Sequence, residues 1–200
     1  MEIKKEHQLE KRRIEFSFDY YKIPEKYRVG ERPQDLIISY REDLKGLEKG
    51  IFSNLQKAGD IAGIQEIIKK IESGDESEIR KIIDKYTSGS RTSPFVPTSR
   101  NPEIAQVFAT KPSTTIYQLR IPANRIILDA EDIGGTGKAE LFVIGTIYPE
   151  EIIAVKRNND DVLHSELYDP VVRGVRLLPA KDSKSREPKD PENWVKINNS

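Results

Sequence analysis

Few side chains in this chain have the type and spacing to act together on one substrate. Arg28, in Tyr27-Arg28-Val29-Gly30, carries a planar, permanently charged fork that matches phosphate or ribose oxygens. Thr98 and Ser99, in Phe95-Val96-Pro97-Thr98-Ser99, offer adjacent hydroxyls that can orient a carboxylate or bond the nearby backbone. Glu140 opens the apolar run Leu141-Phe142-Val143-Ile144 and follows a glycine-rich stretch where a second reactant has room to approach. Taken singly, Arg28 reads as a surface ion-pair residue and Glu140 as an exposed strand-end carboxylate. Their weight comes from their order and from the elements that carry them.

Other chemistries lack their residues. There is no Walker A motif, dinucleotide fingerprint, His-Glu-x-x-His or Gly-x-Ser-x-Gly. Gly134-Gly135-Thr136-Gly137-Lys138 lacks full P-loop spacing and reads as a flexible loop. Cysteine is absent, so neither a disulfide framework nor a thiolate metal site can form. His7 and His164 are too few and too far apart in sequence to suggest a metal centre, and none is expected. Lys plus Arg and Asp plus Glu each number 33, which gives no electrostatic case for nucleic acid or anionic membrane as the main partner. The N-terminus is charged, without the apolar stretch of a usual signal peptide, and no run is long enough to span a bilayer.

The 200 residues, 36% hydrophobic and 33% charged, fit one ordinary domain with polar ends. We divide them into a charged arm over 1–26, a domain over 27–178 and a polar tail over 179–200, the tail read as extended or disordered. Tyr27–Gly30 reads as a short strand, and residues 34–52 give no clear element. Residues 53–72 repeat apolar positions at the helical period. A second helix follows, capped by Asp75 or Ser77 and bearing Ile79, Ile82, Ile83 and Tyr86. Pro97 restricts a strand over 95–99 to an edge or a bulge. Asn101-Pro102-Glu103 starts a short helix. Strands follow over 115–121, 125–129, 139–144, 151–156 and 171–178. Helices early and strands late argue an α+β domain.

Three segments together resemble the cholera and pertussis toxin group of ADP-ribosyltransferases. Tyr27-Arg28, followed by Arg32-Pro33 and Asp35, is similar to the opening aromatic-Arg motif. Phe95–Ser99 and the helix behind it resemble the Ser-Thr-Ser strand. Glu140, its apolar strand and Tyr148-Pro149 resemble the catalytic-glutamate segment. The resemblance covers 27–157 and implies a split β-sheet core that uses NAD as co-substrate without a metal. It implies Arg28 and Glu140 as catalytic residues, with Arg28, Val29, Thr98 and Ser99 binding NAD and Thr136 and Lys138 on the acceptor side. The implied activity is mono-ADP-ribosyl transfer to a macromolecule, a host or competitor protein, with NAD hydrolysis as a side reaction. The implied setting is a secreted bacterial toxin or effector acting in a target-cell cytosol, with a delivery partner or a larger parent chain. Three departures stand out: Pro97 replaces the first serine, Gly30 the acid common two residues after the arginine, and Lys138 an acceptor-choosing Glu or Gln. Lys138 would repel a guanidinium acceptor. The alternative is a degraded module that binds nucleotide or a protein partner without turnover. An NAD-consuming, RNA-processing relative is disfavoured by the neutral charge.

Overall fold

The computed structural model describes residues 14–43, 49–87, 90–100, 105, 115–129, 140–157, 175–177 and 195–197. They form an α+β arrangement. Strand β1 (Leu36–Asp43) and the short β2 (Ile51–Phe52) come first, then helices α1 (Asn54–Ala58), α2 (Ile61–Glu72) and α3 (Glu76–Thr87). Strands β3 (Phe95–Ser99), β4 (Thr115–Pro122), β5 (Ile126–Leu128), β6 (Glu140–Ile144) and β7 (Thr146–Ile147) follow. The last strands are β8 (Ile152–Arg157), β9 (Val175–Leu177) and β10 (Val195–Ile197). The main sheet has 8 strands in the order β5-β6-β3-β1-β4-β8-β10-β9, while β2 and β7 pair separately. Among the described helices none is long and apolar enough to cross a membrane.

Local chemistry explains the helices. The expected single helix over 53–72 is two. Gly59, at φ 77°, closes α1, and the Asp60 side chain accepts the Gly63 N–H at 2.9 Å to start α2. Glycine takes this left-handed conformation at no steric cost and so serves as the cap that ends α1. Gly74, at φ 74°, follows the end of α2. Asp75 then caps α3 by accepting the N–H groups of Ser77 and Glu78 at 2.9 and 3.2 Å.

Both helices lie on one face of the sheet. Ile64, Ile71, Ile79, Ile82, Ile83 and Tyr86 pack against Phe95, Ile127, Phe142 and Ile144. The opposite face buries Val96, Leu119, Leu141 and Val143 with Tyr20, Val29, Ile51 and Ile147. β6 is therefore covered on both sides, which accounts for its unbroken apolar run. Phe16, Phe18 and Tyr20, from the segment read as a charged arm, are core members. β10, within the segment read as a tail, pairs with both β8 and β9.

Two expectations change. Tyr27–Gly30 is not a strand: Glu25–Tyr27 is a 3-10 turn, Arg28 is extended, and Gly30 turns at φ 71°. The central β1 lies where no element was legible. Its Ser39 and Tyr40 are buried on opposite faces, so polar groups interrupt the apolar pattern on both sides.

Arg125 and Glu151, in the turns that precede β5 and β8, form an ion pair, their side chains 9% and 12% exposed. Arg125 also donates to the Thr146 carbonyl and lies 5.6 Å from the Tyr148 ring centre. Glu151 accepts the Tyr148 N–H at 2.8 Å. The pair thus pins the start of β5 to the turn between β7 and β8. Glu151→Ala leaves a buried guanidinium without its counter-ion, and should lower unfolding stability by about 3 kcal/mol in urea titrations.

Candidate active site

Register brings three strands to one point. β3 pairs with β6 along its whole length, setting Ser99 opposite Glu140 and Thr98 opposite Leu141. β1 pairs with β4 along its whole length, but shares with β3 the single ladder pair Tyr40–Ser99. Directly opposed residues face the same way. Glu140, Ser99, Tyr40 and Gln118 therefore form one row across one face. Gln118 donates its side-chain amide to the Tyr40 hydroxyl at 3.2 Å, and Ser99, Tyr40 and Gln118 are all buried.

Pro97 explains the single pair. Its carbonyl accepts a hydrogen bond from the Arg41 guanidinium at 2.8 Å, so this edge of β3 faces β1. In a strand, a residue's N and carbonyl point to the same side. Pro97 has no N–H to give on that side, and the ladder beyond Tyr40–Ser99 does not form. The strand is interior in the sheet order, not the expected edge, because the proline's bare side lies on this seam. Arg41 occupies the seam in place of a ladder bond.

Of the buried polar side-chain atoms without a hydrogen-bond partner among the described residues, two lie on β1, Arg41 Nε and Ser39 Oγ, and the others belong to Gln56, Arg125 and Thr146. Arg41 is 27% exposed at its side chain and also meets Glu42 at 3.8 Å. Unsatisfied donors beside a partly open guanidinium suit an oxygen-rich anion.

The expected site residues separate. Glu140 and Ser99 are brought face to face on the ladder. Thr98 points to the other face, where its hydroxyl donates to the Leu141 carbonyl at 3.3 Å and ties β3 to β6. Val29 is a core side chain whose carbonyl accepts the Tyr20 hydroxyl at 2.9 Å. Arg28 is not the arginine on β3. Its guanidinium donates to the carbonyls of Ile23 and Tyr21 and lies 5.4 Å from the Tyr20 ring centre. Thr136 and Lys138 lie outside the described residues, as do His7, His164 and, except for the buried Ala105, the helix expected from Asn101. Among the described residues no group of three His, Cys, Asp or Glu could hold a metal ion.

Arg41 did not stand out in the sequence because it lacks the Arg-Pro that follows Arg28. The available signal was Tyr40-Arg41-Glu42-Asp43, an aromatic-Arg with an acid two residues on, the position where Arg28 has Gly30. The Arg32-Pro33-Gln34-Asp35 segment has a structural role instead. Asp35 accepts the N–H groups of Glu31 and Arg32, each at 2.8 Å, and pairs with the Arg32 side chain, closing the turn that leads into β1. The sequence matches no known protein-family model and no curated protein.

The Glu31 and Arg32 N–H bonds hold the Asp35 carboxyl below its ordinary value of 3.8. A carboxyl lowered in the folded state stabilises the fold above its unfolded value, and the effect is lost as pH falls through the folded value. Asp35→Ala should therefore unfold more easily than wild type at neutral pH. Urea titrations should show that gap closing as pH drops below 3.8.

Proposed function

We propose that this chain is an NAD-dependent mono-ADP-ribosyltransferase domain centred on Glu140, Ser99 and Arg41. The observation that carries the reading is the seam, where Glu140 stands opposite Ser99 and Arg41 reaches the β3 backbone at Pro97. The roles follow from charge. Arg41, with its orphan Nε and Ser39 beside it, suits the phosphate and ribose oxygens of the dinucleotide. Breaking the nicotinamide–ribose bond leaves positive charge on the ribose, and the electron pair departs with neutral nicotinamide. Glu140 faces that developing cation and accepts a ribose hydroxyl proton in a hydrogen bond. Ser99, directly across the ladder, orients the carboxylate in place of the hydroxyl that Pro97 cannot supply. The acceptor is a macromolecule, most simply a protein of a target cell, and the setting is that of a secreted bacterial toxin or effector.

Pro97 favours one second reading, a module that binds nucleotide or a protein partner without turnover. Nicotinamide release from NAD separates the two. In the enzyme, Glu140→Gln should slow release by about 10²–10³-fold, the usual cost of removing one stabilising group aimed at developing charge. Arg41→Lys loses the fork and should slow it at least about tenfold. Arg28→Lys should leave turnover near wild type. Wild-type turnover in both Glu140→Gln and Arg41→Lys would sink the enzyme reading. NAD binding with no release, even with cell lysate present, would establish the module.

A further inference from the structure

Glu140 has a second neighbour on its ladder, on the side away from Ser99. β5 and β6 pair Leu128 with Leu141, and the Asp129 N–H donates to the Glu140 carbonyl at 3.2 Å. The register thus sets Asp129 opposite Glu140 on the same face. Directly opposed residues have Cβ atoms about 4.5–5.5 Å apart, and like charges so placed repel. The fold nevertheless keeps a carboxylate there and fixes its direction. Arg80 of α3 holds Asp129 Oδ1 at 3.3 Å, and its other nitrogen is anchored by Asp84 at 2.7 Å. The Asp129 side chain is only 13% exposed, so it does not simply sweep through solvent.

The Arg80–Asp129 ion pair ties α3 to the end of β5 and offsets part of this repulsion. The Arg80–Asp84 bond is an i, i+4 pair on the helix surface and forms without Asp129. An opposed carboxylate pair costs stability, and like-charge pairs of this kind concentrate where chemistry needs them. Glycosyl transfer needs two such groups, because one carboxylate faces the sugar cation and the other takes the proton of the attacking group.

We propose that Asp129 is the acceptor-side general base of this site. The inference rests on the ADP-ribosyl-transfer reading and adds a second catalytic residue to it. As the C–N bond to nicotinamide breaks, the acceptor's O–H group forms the new bond to the same ribose carbon. Its proton passes to the Asp129 carboxylate and then to solvent. NAD⁺ and the protonated acceptor thus give ADP-ribosylated acceptor, neutral nicotinamide and one proton. The acceptor class is a nucleophile that still carries its proton at neutral pH, a hydroxyl, with water as its smallest member.

Water makes the test independent of the natural acceptor: NAD hydrolysis is followed in the full chain. Asp129→Asn keeps the shape and an oxygen for Arg80. It should lower kcat by about 10²–10⁴-fold, the usual contribution of a positioned base, with KM for NAD little changed. Asp129→Ala should regain turnover on adding formate, an external carboxylate, whereas formate should not restore Glu140→Gln. Unchanged kcat in Asp129→Asn overturns the proposal, as does loss in Asp129→Ala that formate does not relieve. Either result, with wild type active and Glu140-dependent, leaves the ADP-ribosyl-transfer reading intact. A wild-type protein that releases no nicotinamide fails that reading, and this inference with it.

Discussion

Pro97 has no N–H to give toward β1, and the rest of the candidate site is arranged around that missing bond. The ladder between β1 and β3 stops at Tyr40–Ser99, and the Arg41 guanidinium takes the place of the next rung by binding the Pro97 carbonyl. A residue that would weaken an ordinary central strand here divides the sheet into two halves. Each half keeps a full-length pairing of its own, β1 with β4 and β3 with β6. At the seam Ser99 and Glu140 share the face of Tyr40, while Arg41, the next residue along β1, lies on the other face and reaches the Pro97 carbonyl.

The seam is held from both sides by packing that does not involve it. α2 and α3 bury isoleucines against Phe95, Phe142 and Ile144 on one face, and Leu141 and Val143 join a second core on the other. Burying a side chain of this size is worth about 1.5–3 kcal/mol. β6 is thereby packed on both faces, and Glu140 is its first residue. Rigid strands hold a carboxylate in position better than loops do. The Gln118–Tyr40 hydrogen bond does the same for β1, whose Tyr40 is packed against Ile116 and Ala154.

The two Tyr-Arg pairs take different places in the fold. Both Arg28 and Arg41 follow a tyrosine, and only the first is followed by an Arg-Pro. That Arg-Pro serves a turn closed by Asp35, and Arg28 locks the preceding 3-10 turns through the carbonyls of Tyr21 and Ile23. Burial raises the Tyr20 hydroxyl pKa, with Arg28 pulling it down. That hydroxyl stays a donor to the Val29 and Gly30 carbonyls, completing the same local scaffold. Arg41 sits in a strand whose polar and apolar residues mix on both faces, so periodicity did not reveal the strand or its arginine.

What the chain determines by itself are its locally encoded elements. The isoleucine spacing of α2 and α3, the Asp75 cap and the apolar run of β6 are short-range signals, legible because each depends on neighbours in sequence. The α+β class followed from them. Only the tertiary structure decided which arginine meets that strand, which hydroxyl shares a face with Glu140, and that Asp129 stands across from it. Those are questions of register, and a shift of one residue turns every side chain to the other face. Ladder pairing between distant segments sets register, and no local spacing records it.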